Sequence, residues 1–483
     1  MDDNVGTRAV RGAAWLGSGQ MFRQVLAFAT NIILARTLFP DDFGLFALAF
    51  AAAEIAQILT DFGLGAAIIQ RQEKSQVALT TCFWLTMGIG MLIAALLMLG
   101  GPLLASFYGR PEVIFLVIPL AINMLICAGL VVPQAVLTQD LKFREITIAQ
   151  IIGSIVASIG AISLAVAGTG VWALASQPAI GNIITGVMLF YFSRWRPTGS
   201  PVLQSIQGMI NFSWKMLSVS LISCIGRNLH AFILGKQLSA SALGHYNLAS
   251  GITGSILFQI SSVIVKVMFP TLASLRDDPT RLPAIWLKAS SVIAIVSLPA
   301  MTGVIAVAPD LVPVVFGAQW IPATDVLRIL CVVMAIQSVL TTASTVLMVL
   351  GRVDILLRIT LTTVPAIGLA LWYGVMYGIE GAAIGYALVN IIAYVVTSIL
   401  ACREIKIAPS RFFLELAPWA IASVVMAIAV ASIAPWLSDY SPWARLVISI
   451  LIGVVLYGTI LLLIARKQAI TLIGDITSRL RRS

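Results

Sequence analysis

The chain has 483 residues, of which 59% are hydrophobic and only 10% charged, with 30 Lys and Arg against 20 Asp and Glu. Soluble domains carry about 25% charged residues, so this composition excludes a string of soluble domains and, with it, a soluble enzyme. The net charge of +10 raises nucleic acid as a partner, a reading that the placement of the cations tests below.

Apolar runs parted by short charged or Pro/Gly breaks predict fourteen membrane-spanning helices, each near the ~20 residues that cross a ~30 Å hydrocarbon layer. In chain order they lie near 12–35, 43–69, 78–101, 113–137, 147–167, 171–192, 209–235, 243–270, 287–313, 323–349, 356–377, 381–401, 414–434 and 443–464. The first run carries Arg23 at its middle, unlike the apolar core of a cleavable secretion signal. With the N-terminus inside, twenty-one Lys and Arg fall on inner segments, five on outer ones and four within spans. Cytoplasmic segments are the cation-rich ones, so both termini are placed in the cytoplasm. The same distribution accounts for the basic charge without nucleic acid. The outer connections are too short to hold a catalytic domain. The predicted fold class is an all-α polytopic membrane protein of about 14 transmembrane helices.

A repeat at an offset of 200 residues organises these spans. Residues 31–50 (NIILARTLFPDDFGLFALAF) lie over 231–250 (AFILGKQLSASALGHYNLAS), with identities at 33/233, 34/234, 38/238, 44/244, 48/248 and 49/249. Both stretches join an odd-numbered span to the next. The expected domains are a six-helix lobe over 1–200, a second over 201–403, two further helices over 404–465, and a basic cytoplasmic tail over 466–483. Six is even, so the two lobes run parallel about an axis along the membrane normal, as in transporters that bind substrate at a repeat interface.

Polar residues inside the spans need a reason, because an intramembrane charge costs roughly 2.5–3.5 kcal/mol on insertion scales. Span 1 carries Gln20, Arg23, Gln24 and Asn31, and span 2 carries Glu54, Gln57 and Asp61 at i, i+3 and i+7. Span 7 carries Ser220, Ser223, Arg227 and His230, and span 8 carries Ser255, Gln259, Ser262 and Lys266. These are the first two spans of each lobe, and the stripes are read as lining one aqueous cavity between the lobes. Arg23 and Arg227 fall near the midplane, Asp61 and Lys266 in the cytoplasmic half. Counting Lys215, four intramembrane cations face the two carboxylates Glu54 and Asp61. That surplus suits a dianionic ligand such as a pyrophosphate. Simpler readings stand beside this one. Arg23 has Glu54 or Asp61 as a structural ion-pair partner, Lys215 can snorkel to the inner interface, and His230 can serve as a neutral lining residue. Gln20, Gln24, Asn31, Gln57 and Gln259 complete the lining, and Glu54 and Asp61 are the candidates for ion coupling.

Catalytic and cofactor chemistry finds little support. The five cysteines (Cys82, Cys127, Cys224, Cys331, Cys402) stand singly without metal spacing and read as packing residues, and no metal or cofactor is expected. The P-loop pattern of an ATP-driven exporter is absent, and no nucleophile–base set is found.

Seven separated stretches carry a family resemblance: ARTLFPDDFGLFALA (35–49), DFGLGAAIIQR (61–71), LKFREI (141–146), GVWALASQ (170–177), FPTLASLRDD (269–278), LVPVVFGAQW (311–320) and GRVDILLR (351–358). Together they resemble the Wzx-type polysaccharide transporters of the multidrug/oligosaccharidyl-lipid/polysaccharide flippase superfamily. The resemblance implies a bacterial inner-membrane flippase for undecaprenyl-pyrophosphate-linked oligosaccharide units used in O-antigen, capsule or exopolysaccharide assembly. It also implies surrounding membrane lipid, with polysaccharide polymerase and chain-length machinery as partners. Where relatives often read R-N-L-D, this chain has Arg227-Asn228-Leu229-His230, so it lacks an acid at that point. Alternatives are a lipid II flippase, a cation-coupled drug antiporter, and, in a different class, a membrane glycosyltransferase or polymerase. The cation surplus weighs against the antiporter and the short outer connections against the transferase.

Overall fold

A computed structural model describes residues 2–276, 278 and 280–464, the side chains of 2–14, 207–216, 256–267 and a few others excepted. The tail expected at 466–483 therefore lies outside the described residues, as do the side chains of Lys215, Gln259 and Lys266.

The helices are α1 (Asp2–Thr37), α2 (Pro40–Asp61), α3 (Leu64–Arg71), α4 (Gln76–Tyr108), α5 (Val113–Gln139), α6 (Phe143–Val166), α7 (Trp172–Ser193) and α8 (Gln207–Gln237), then α9 (Ala240–Ala273), α10 (Arg281–Leu311), α11 (Ala323–Val349), α12 (Val353–Gly374), α13 (Gly378–Glu404), α14 (Pro409–Ile433) and α15 (Pro442–Ile464). Among the described residues fourteen of these are 22 residues or longer, one for each apolar run predicted from the sequence. Among the described residues ten stretches are long and apolar enough to cross a membrane, one of them Val353–Glu404, which holds both α12 and α13. The chain is a multi-pass helical membrane protein.

One predicted span differs. The run expected at 43–69 is two helices, because Phe62 (φ 50°) and Gly63 (φ 70°) take successive left-handed conformations that a right-handed helix cannot continue. The break leaves Asp61 as the last residue of α2 and starts the short α3. At the other end of α2, Pro40 occupies the first turn and the Phe39 N–H donates to Asp42 Oδ2 at 3.0 Å, fixing where the helix begins.

The 200-residue offset recurs in the backbone. Helix α1 ends at Thr37 and α8 at Gln237, while α2 starts at Pro40 and α9 at Ala240. The two helix starts also meet reciprocally: a Cβ added to Gly44 would collide with the Ala240 carbonyl, and one added to Gly244 with the Pro40 carbonyl. Only glycine permits this approach at either position.

The chain forms two compact units, Met1–Gly244 and His245–Ser483. In the first, α5 is central, packing on α2, α3, α4 and α7; α7 packs on α6, α6 on α1, and α8 on α2. Small residues let α6 and α7 come close, since a Cβ on Gly153 would stand 2.7 Å from the Gly181 carbonyl oxygen. In the second unit α10 packs on α11, α14 and α15, and α13 on α11 and α12. Its core is anchored by Trp286 stacked on Phe412, with ring centroids 4.4 Å apart and planes 11° apart, and by Trp286 Nε1 donating to Thr342 Oγ1 at 3.0 Å. Before α10, Asp278 accepts the Arg281 and Thr280 N–H groups at 3.0 Å each, and these donors hold its carboxyl below the usual carboxylate range. Its contribution to stability is present above about pH 4 and lost as pH falls through the lowered value.

Candidate functional site

Helix α2 carries two polar groupings of the first unit. On its contact with α8, Arg227 Nη2 donates to Glu54 Oε1 at 3.0 Å and Asn228 Nδ2 donates to Glu54 Oε2 at 2.8 Å. Asn228, itself buried, also donates to the Cys224 carbonyl at 3.2 Å. Both carboxylate oxygens of Glu54 are thus taken by α8. Arg227 differs from its partners: its side chain is 60% exposed, against 29% for Glu54. A guanidinium offers five N–H donors, so the pair with Glu54 leaves most of them free to meet an anion. An intramembrane cation is tolerated where it faces an aqueous path rather than lipid.

The second grouping lines a cavity of about 720 Å³ enclosed by α1, α2, α3, α5, α6 and α7. Arg23 enters from α1 and donates to Gln20 Oε1 one turn earlier. Gln57 and Asp61 enter from α2, and the Asp61 carboxylate accepts the Gly65 N–H across the helix break. Two buried polar atoms of this wall, Arg23 Nε and Gln57 Oε1, have no hydrogen-bond partner among the described residues. Each such atom costs about 1–3 kcal/mol in the folded state. On the facing helices Asn182 Nδ2 donates to Asn123 Oδ1 at 2.8 Å and to Cys127 Sγ at 3.3 Å, so this cysteine belongs to a polar wall, whereas Cys82, Cys224, Cys331 and Cys402 are buried.

The structure thus sorts the residues singled out in the sequence into two sets. Arg23, Gln57 and Asp61 line the cavity, and Gln20 accepts from Arg23 without lining it; Glu54 turns away from Arg23 to meet Arg227. Asn31 is exposed, and Gln24 and His230 are half-buried; none of the three lines this cavity. Asn228 and the amides Gln134, Gln150, Gln177 and Asn182 were not singled out. Their signal was present as spacing, since Gln150, Ser154 and Ser158 recur at i, i+4 and i+8 on α6, as do Gln177, Gly181 and Thr185 on α7. Asp325 and Arg328, three residues apart on α11, form a local pair at 3.5 Å. Among the described residues no cluster of His, Cys, Asp and Glu is arranged to hold a metal.

Long apolar helices around a cavity with charged and amide groups in its wall, with an exposed arginine of α8 held by a carboxylate of α2, are the construction of a multi-pass membrane transporter. The chain belongs to the polysaccharide biosynthesis protein family, whose model matches residues 33–325. It is 28% identical over 461 residues to the lipopolysaccharide biosynthesis protein WzxC of Escherichia coli (strain K12), covering 93% of this chain and 89% of that one. It is 26% identical to the teichuronic acid biosynthesis protein TuaB of Bacillus subtilis (strain 168), covering 92% and 93%. Its fold is like that of the lipid II flippase MurJ in an inward closed conformation, with a TM-score of 0.75, 13% identity, and 94% and 99% of the two chains covered.

Proposed function

We propose that this protein flips prenyl-pyrophosphate-linked oligosaccharide units from the cytoplasmic to the outer leaflet of the bacterial inner membrane, supplying polysaccharide polymerase and chain-length machinery. It does so by alternating access between a lobe over 1–200 and a lobe over 201–403, with both termini cytoplasmic and without chemical catalysis. Family membership supports the pathway, and relatives named for lipopolysaccharide and teichuronic acid biosynthesis support a glycan cargo. The observation that carries the reading is Arg227. It is held on one side by Glu54 while more than half of its side chain stays open. A pyrophosphate replaces Glu54 as its counter-ion, and the planar fork of arginine matches phosphate oxygens better than an ammonium does. Arg23 adds positive charge along the path, and the prenyl chain remains in lipid.

Deleting the gene tests this. A prenyl-pyrophosphate oligosaccharide should accumulate facing the cytoplasm while the surface polymer disappears and growth continues. Normal polymer without accumulation would sink the reading; arrested peptidoglycan synthesis would instead assign the chain to lipid II.

A further inference from the structure

The cavity of the first unit has a composition that an anion path does not explain. Its wall bears one cation, Arg23, and one carboxylate, Asp61, so its net charge is close to zero. A pyrophosphate would call for a surplus of cations. The wall, largely apolar, instead carries neutral amides and hydroxyls contributed by α5, α6 and α7. Among the described residues the side-chain amides of Gln134, Gln150 and Gln177 take no hydrogen-bond partner, although all three face the cavity. The unpartnered Arg23 Nε and Gln57 Oε1 add one donor and one acceptor from the opposite helices.

Resting on the lipid-linked glycan reading above, we infer that this cavity is a carbohydrate subsite that receives sugar residues of the translocated unit. Each sugar hydroxyl is both donor and acceptor, and a carboxamide presents both functions side by side, so amides and hydroxyls satisfy a sugar without fixing charge. The volume, about 720 Å³, lies within the ~300–1,000 Å³ of small-molecule sites. On α6 the polar side chains Gln150, Ser154 and Ser158 stand one turn apart, and Gln177, Asn182 and Thr185 of α7 line the same cavity, a ladder that a chain of hydroxyls can follow. The anion is held at Arg227 and the glycan is read here. Discrimination between repeat units therefore resides in Gln134, Gln150, Gln177 and Asn182 rather than in the arginines.

The test uses the full chain in lipid nanodiscs and two probes: the lipid-linked oligosaccharide that accumulates in deletion cells, and undecaprenyl pyrophosphate bearing no sugar. The wild type should bind the sugar-bearing probe at least about tenfold more tightly, from two or more amide contacts each worth about 3- to 10-fold. In Gln150→Leu/Gln177→Leu that preference should fall below about twofold while binding of the sugar-free probe is unchanged. Gln134→Leu alone should lower the preference about 3-fold, which serves if the double variant does not fold. Retention of the wild-type preference in these folded variants would overturn the subsite. A wild type that bound both probes alike would overturn the subsite alone, whereas one that bound neither would overturn the lipid-linked reading as well.

Discussion

Arg227→Ala is expected to abolish or nearly abolish polymer export at normal protein levels, and Arg227→Lys to restore a fraction of it. Losing one charge-assisted contact in a partly dehydrated path costs roughly 1.5–3 kcal/mol of substrate binding, about 10- to 150-fold. Lysine keeps the charge and forfeits the bidentate geometry, which is why its rescue is partial. The folded protein should survive the change. The Arg227–Glu54 pair is too exposed on the arginine side to contribute more than about 0–1 kcal/mol to stability. An arginine that merely braced α8 against α2 would behave in the opposite way, lowering the yield of folded protein and leaving export per molecule intact. Export normalised to folded transporter separates the two. Arg23→Ala should also be severe, because Arg23 is the single cation on the wall of the cavity.

Glu54→Gln and Asp61→Asn are expected to fail differently, since the structure gives the two carboxylates different surroundings. Glu54 is a positioning residue, holding Arg227 with one oxygen and Asn228 with the other. Its glutamine variant keeps an acceptor for Asn228 but loses the ion pair. Substrate affinity should fall several-fold, with the response to an ion gradient unchanged. A double-mutant cycle with Arg227→Ala should be strongly non-additive, because the two share one network. Asp61 instead lies at the α2–α3 break and is the one carboxylate among the residues lining the cavity. Asp61→Asn should remove the dependence of transport on an imposed proton or sodium gradient while insertion stays normal. Undiminished gradient-driven transport in that variant would assign Asp61 to capping the helix break through the Gly65 N–H.

Most of the fold could be read from hydropathy, because backbone groups in lipid must be satisfied within helices and the runs between breaks have little freedom. Residues 323–349 illustrate this: the apolar run and α11 share both bounds. The break at Phe62–Gly63 was hidden. It arises from two left-handed dihedrals inside an uninterrupted apolar run, and period and hydropathy do not register dihedrals. Helix α1 starts at Asp2, ahead of the apolar run near 12–35, since its charged first turns carry no hydropathy signal. At the site, charged residues announced themselves by their cost in a membrane, so Arg23, Glu54, Asp61 and Arg227 stood out. Their partners did not. Glu54 and Arg227 lie 173 residues apart, and only the packing of α2 on α8 selects that pair over a bond to Arg23. The uncharged amides of α5, α6 and α7 stand singly in apolar runs and carry no charge signal, so each looks like packing. Their significance comes from convergence on one cavity.

The central claim is leaflet-to-leaflet transfer of a lipid-linked glycan through a path that needs Arg227. Purified protein in vesicles, with a fluorescent prenyl-pyrophosphate oligosaccharide in one leaflet and an impermeant quencher outside, measures that transfer directly. The account predicts exchange between leaflets well above that of protein-free vesicles, and a return to the protein-free rate in Arg227→Ala. Transfer by the wild type no faster than in protein-free vesicles, or equally fast in Arg227→Ala, would contradict it.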